Sequence, residues 1–178
     1  MNLPFRSGKG IISVDQQWYA LTVKPRYEFK VLEGIKSLGE AEGFVPSYQD
    51  KRRWSDRVKI LDVPLFTGYV FAKFNVDSVR VPILRLGGVK SIVGVSGGAT
   101  PIPEPEIANL RGLVSSGFAL QEWPFLKKGQ RVRVEHGPLR GVEGIVVSRK
   151  DEWMMVVSID LLQRSVAVEL DRTWLKAA

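Results

Sequence analysis

Five of the nine residues from Lys51 to Lys59 are lysine or arginine, and only Asp56 is acidic. Such a run has the chemistry of phosphate binding: cationic side chains neutralise a polyanion and release its counterions. Trp54, within the run, adds a ring on which a base could stack; the plainer alternative is a solvated surface hairpin. Lys24, Arg26 and Lys30 form a second basic cluster that could lie beside the first. Across all 178 residues, 26 Lys and Arg face 19 Asp and Glu, for a net charge of +7 and a pI near 9.8. That balance favours a polyanionic partner, either nucleic acid or an anionic membrane surface.

Catalysis has little to work with. The chain has no cysteine, which removes disulfides, thiolate metal sites, iron–sulfur clusters and thiol nucleophiles. Its single histidine, His136, sits in Glu135-His136-Gly137-Pro138, a turn with no deep cleft to tune a base. Glu104 with Glu106, and Asp151 with Glu152, fall at a helix start and a turn, where acids are expected anyway. No Gly-x4-Gly-Lys-Ser/Thr loop is present. The expectation is a protein that is not an enzyme and uses no metal or cofactor. No run reaches the roughly 18–20 apolar residues of a membrane span. Ile11 to Val14 is too short for a signal-peptide core, so a cytoplasmic location is expected.

The stretch Pro64 to Phe74 is more informative. In a strand, Tyr69, Phe71 and Lys73 project to one side and Val70, Ala72 and Phe74 to the other. The second set suits a face covered by helices. The first leaves two aromatics opposite, which either mark a protein-binding groove or are buried by another loop.

The elements that would hold these residues are short. Trp18 to Val23 reads as a strand, and Val31, Ile35 and Leu38 place a helix ending near Gly39. Strand-like stretches follow from Phe44 to Phe74. A helix capped by Asn75 carries Val79, Ile83 and Leu86, with Pro82 straining it. Ser91 to Val95 is a further strand. A third helix starts at Pro103-Glu104-Pro105-Glu106 and carries Ile107, Leu110 and Val114. The fold class is therefore α+β, an antiparallel sheet with about three helices. After Ser115 to Pro124 the period changes to two, at Val132/Val134, Ile145/Val147, Trp153 to Ile159 and Val166 to Leu170, as in a small all-β barrel. The expected boundaries are a leader at 1–17, a first domain at 18–116, a linker at 117–124 and a barrel at 125–178.

These residues suggest a family. Trp18-Tyr19 opening a strand, Lys24-Pro25-Arg26 before a helix, and Pro64 to Phe71 resemble the N-terminal domain of NusG-type transcription elongation factors. Val132 to Val147, with Gly137, Gly141 and Gly144, resembles a KOW motif. Together, in the family's order, they span residues 18–176. Lys24-Pro25-Arg26 and the run from Lys51 to Arg57 are most similar to specialised RfaH/UpxY-like antiterminator paralogues.

The resemblance implies a monomeric elongation and antitermination factor that binds bacterial RNA polymerase and suppresses pausing or termination at a subset of operons. The groove for the β′ clamp helices would involve Phe66, Tyr69, Phe71 and Ile92, with Thr22 from the first strand where RfaH-like sequences carry an aromatic. Lys24, Arg26 and Lys30 would read the non-template DNA strand. Lys51, Arg52, Arg53, Trp54 and Arg57 would lie near upstream DNA. In the KOW barrel, Ile159, Leu161 and Leu162 would contact a small-subunit ribosomal protein, although the family's aromatic is absent from this loop. Two alternatives remain: a housekeeping NusG, and a ribosome-associated RNA-binding KOW protein. Against the latter, residues 127–178 carry ten bases and seven acids, a weak excess.

Overall fold

The computed structural model describes residues 16–53, 58–126, 129–149 and 152–178. The leader expected at 1–17 lies outside these residues except at its end, where Gln17 already opens the first strand.

The N-terminal part runs β1 (Gln17–Val23), α1 (Glu28–Leu38), β2 (Glu42–Phe44), β3 (Ser47–Arg53), β4 (Val58–Pro64), β5 (Tyr69–Phe74), α2 (Val76–Leu84), β6 (Val89–Ile92) and α3 (Glu104–Ser115). Four strands form an antiparallel sheet in the order β2-β5-β1-β6, while β3 and β4 pair as a separate ribbon. The basic run thus sits in a hairpin of its own, with one strand more than the sequence suggests.

Local chemistry explains the helices. Gly39 ends α1 in the left-handed conformation, with φ of 71°. The Asn75 side chain accepts bonds from Asp77 N and Ser78 N at 2.9 and 3.2 Å, capping α2. Pro82 lies inside α2, where it cannot donate a backbone hydrogen bond to the preceding turn, and the helix ends two residues later. In α3 the fully buried positions are Ile107, Leu110 and Leu113, one residue short of the expected Val114.

β1 is buried on both faces, which period-two reasoning does not foresee. Tyr19, Leu21 and Val23 join Val70, Ala72 and Phe74 of β5 under α1 and α2, which contribute Val31, Ile35, Val79 and Ile83. Trp18 and Ala20 belong with Phe66 and Phe71 to a second cluster, completed by α3 and the C-terminal part.

That C-terminal part is a six-stranded antiparallel sheet: β7 (Leu120–Trp123), β8 (Gln130–Val134), β9 (Glu143–Arg149), β10 (Glu152–Ile159), β11 (Arg164–Glu169) and β12 (Leu175–Ala177). Its order is β12-β8-β9-β10-β11-β7. The segment read as a linker therefore contains a strand, with Leu120 to Trp123 paired to Val168 to Ser165 of β11. Of the alternating residues, Val132, Val134, Met155, Val157, Ile159, Val166, Val168 and Leu170 are buried as their spacing predicts. Ile145 and Val147 are only half-buried: Val146, opposite Met155, is the residue of β9 that packs against the main cluster, and Val147 lies on the reverse side. Met154, Val156 and Ala167 are buried on the reverse side with Trp123 and Leu126. No described helix is long and apolar enough to cross a membrane.

Candidate functional site

The aromatic face is built where β1, β5 and β6 lie side by side. Tyr69 is directly opposite Thr22, and Thr22 is opposite Ser91 on its other flank, so the three share one face. Thr22 Oγ1 and Ser91 Oγ are hydrogen-bonded at 2.7 Å. Phe71 is opposite Ala20 on the same face, and its ring meets that of Phe66 edge-on at 5.7 Å.

Ile92 does not join them. It pairs with Leu21, which in turn pairs with Val70, and so lies on the face covered by α1 and α2. The residue packed beside the Phe66–Phe71 cluster is Val93, whose N–H bonds Ala20 O at 2.8 Å. One residue along a strand exchanges faces.

The face is not an open groove. Phe66 and Phe71 are 1% and 0% exposed, and Tyr69 is half-buried. α3 covers part of it. The rest of the cover comes from the C-terminal sheet, which shares one continuous apolar cluster with these rings. Leu161 and Leu162, in a 3-10 turn at Asp160–Leu162, pack half-buried against that cluster. Arg164 places its guanidinium 5.4 Å from the centre of the Tyr69 ring. Along α3, Glu106 Oε2 accepts from Asp160 N at 3.2 Å, and Asn109 Oδ1 from Glu143 N at 3.0 Å. Gly112 permits this approach: a Cβ there would lie 2.6 Å from Val142 Cγ2. Ile159, expected to be open to a partner, is fully buried, which leaves Leu161 and Leu162 as the accessible part of that loop.

Burial raises the Glu106 carboxyl above its ordinary value; the nearby Asp160 carboxylate adds to this, and the Asp160 N–H bond opposes it. Glu104, two residues earlier and exposed, is held below its ordinary value mainly by its hydrogen bond to Lys73, whose Nζ is 2.9 Å away.

At the end of β1 the structure brings Lys24 and Lys30 to the same tyrosine ring. Lys24, Arg26 and Lys30 are exposed, and the ammonium groups of Lys24 and Lys30 lie 6.0 and 5.2 Å from the Tyr27 ring centre. Lys51, Arg52 and Arg53 are in β3, but their side chains, together with Trp54 and Arg57, lie outside the described residues. His136 is exposed in its turn. Among the described residues no group of three or more His, Cys, Asp or Glu is placed to hold a metal.

Residues 16–111 match the family described as transcription termination factor nusG. The chain belongs to the NusG family. The transcription termination/antitermination protein NusG of Lactococcus lactis is 26% identical to it over 174 residues, covering 90% of this chain and 92% of that one. The NusG of Borreliella burgdorferi is 25% identical over 177 residues, covering 89% and 96%. A solved structure concerned with domain interaction in Thermotoga maritima NusG shares the fold, with a TM-score of 0.54 at 20% identity, over 91% of this chain and 97% of that one. This NusG-family chain is accordingly a NusG-like transcription termination/antitermination factor, of a family of transcription factors rather than enzymes.

Three residues of the closed site are not marked in the sequence. Arg164 and Glu106 act across the two parts of the chain, and no local pattern signals such pairs. Val93 is hidden because the pairing that sets its face is between distant strands.

Proposed function

We propose that this protein binds RNA polymerase through the face of Phe66, Tyr69, Phe71 and Thr22, with Val93 in the place first given to Ile92. The observation that carries this reading is the cover itself. An aromatic face that shares one apolar cluster with a distant part of the same chain, and takes Arg164 over the Tyr69 ring, has the chemistry of a protein-binding surface. Polymerase and the C-terminal sheet would then compete for it, and polymerase would bind the fraction of molecules in which the sheet has swung away.

Once bound, the N-terminal part would favour the unpaused polymerase by holding its clamp, a population shift rather than a chemical step. Lys24, Arg26 and Lys30 would contact the non-template strand, and the ribbon from Lys51 to Arg57 upstream DNA, with phosphate contacts that weaken in salt. The released C-terminal part, a KOW barrel over about 125–178 in this reading, would expose Leu161 and Leu162 to a small-subunit ribosomal protein. The protein would work in the cytoplasm as a monomer.

The basic residues favour a specialised, RfaH/UpxY-like antiterminator acting at a subset of operons. A housekeeping NusG is the second reading, favoured by the near full-length match to the NusG proteins of Lactococcus and Borreliella. Single-round transcription with bacterial polymerase, on a template carrying pauses and a terminator, tests the function. Shorter pauses and longer transcripts with wild type but not Tyr69→Ala support it; no effect of wild type on any template contradicts it. Occupancy across the genome, confined to a few operons or general, separates the two readings.

A further inference from the structure

The geometry points to Glu28 as a positioning residue for the turn that presents the polymerase-binding aromatics, an inference that rests on the reading above. Glu28 opens α1, yet its side chain is buried, at 2% exposure. Carboxylates are seldom buried, and one withdrawn from water needs a partner for its charge. Its Oε1 accepts a hydrogen bond from Gly68 N at 2.8 Å.

Gly68 lies between Phe66 and Tyr69, with φ of +83°, a conformation that glycine adopts without strain. Its carbonyl accepts from Val23 N at 2.9 Å, and Tyr69 N closes the turn onto Phe66 O at 3.1 Å. Both polar groups of the Gly68 backbone are therefore held, one by the end of β1 and the other by Glu28. The body of α1 packs on the opposite face of the sheet, where Val31 and Ile35 meet Val70 and Phe74. Through Glu28 the helix reaches round to the turn that sets Phe66 and Tyr69. Lys24 and Arg26 lie in the connection from β1 to this helix, within four residues of Glu28.

The test is equilibrium binding of the full-length chain to core RNA polymerase, at a temperature where circular dichroism shows every variant folded. Loosening the turn would also weaken docking of the C-terminal sheet. The parent chain therefore carries Leu161→Asp and Leu162→Asp to remove that competition. Glu28→Gln keeps an acceptor of the same reach and is expected to bind within about threefold of the parent. Glu28→Asp, one methylene shorter, and Glu28→Ala are expected to bind about tenfold more weakly, the loss of a charge-assisted bond. Hydrogen exchange at the Gly68 amide should accelerate in both, with amides inside α1 unchanged. A purely structural role would lower the melting temperature yet leave polymerase affinity and Gly68 exchange as in the parent, and that result overturns the inference. Should Glu28→Ala not fold, Glu28→Asp decides alone. A parent chain that fails to bind polymerase overturns the surface assignment and this inference with it.

Discussion

Arg164 and Tyr69 are 95 positions apart in the chain, and the guanidinium of one lies 5.4 Å from the ring centre of the other. Tyr69 belongs to the face that the family resemblance assigns to polymerase, and Arg164 to the sheet that covers it. An exposed cation–π contact of this kind contributes about 0.5–1 kcal/mol. It is one clasp among several, together with Leu161, Leu162 and the two α3 hydrogen bonds.

Removing the clasp should favour the open chain. Arg164→Ala is expected to raise apparent polymerase affinity about two- to fivefold, the same 0.5–1 kcal/mol seen through the closed–open equilibrium. Leu161→Asp with Leu162→Asp places charges against an apolar cluster and should raise it about tenfold or more. Titration of labelled full-length protein with polymerase measures both, and affinities equal to wild type would rule out competition at this face.

The aromatic residues divide into two kinds of experiment. Tyr69 is half-buried, so Tyr69→Ala should abolish polymerase binding while the circular dichroism melt stays close to wild type. Phe71 is fully buried, and Phe71→Ala should cost about 3–5 kcal/mol of stability. Its effect on binding is informative only beside a melting curve.

Acidity should favour closure. Burial in the closed form raises the Glu106 carboxyl, so the closed form binds more protons than the open one. As pH falls from above that raised value towards the ordinary carboxylate range, the closed population should grow. As pH rises through it, opening should be favoured. Glu106→Gln keeps an acceptor for Asp160 N–H without the charge, and should hold the chain more closed at neutral pH. It should also flatten the dependence. Fluorescence energy transfer between labels on the two parts, recorded against pH, reads this directly.

Much of this was legible in the sequence, for identifiable reasons. Helices α1 to α3 announced themselves through Gly39, Asn75 and the acidic, proline-bearing start at residues 103–106, because caps are local. Val132 to Leu170 signalled a C-terminal sheet because period two survives wherever one face is buried. Burial of the aromatics is one of two readings that the sequence leaves open, and what covers Phe66 and Phe71 was hidden, since the residues sharing their cluster lie up to about a hundred positions away. Ile92 was assigned to the wrong face for a similar reason: its parity depends on pairing with Leu21, across an irregularity at Thr22/Val23. Glu28 reads as an ordinary acid in a first helical turn, and only its bond to Gly68 gives it another role.

DNA binding should show in its salt dependence. Replacing Lys24, Arg26 and Lys30 one at a time by Ala should lower the slope of log affinity against log salt by about 0.7 for each single-strand phosphate no longer neutralised. Binding of the protein to polymerase carrying an open transcription bubble measures this. An unchanged slope in all three would remove that cluster from the nucleic-acid surface.

The central claim is that the aromatic face serves either the C-terminal sheet or polymerase, never both together. Gly112 and Val142 allow it to be tested in one molecule. A Cβ at Gly112 would lie 2.6 Å from Val142 Cγ2, so the two Cβ atoms, one carbon–carbon bond further on, are at most about 4.1 Å apart, within the reach of a disulfide. The chain has no other cysteine to interfere. In Gly112→Cys with Val142→Cys, oxidation should lock the sheet onto the face and abolish polymerase binding, and reductant should restore it. Wild type should ignore both treatments. If the oxidised, locked chain binds polymerase as tightly as the reduced one, polymerase does not use this face and the account is wrong.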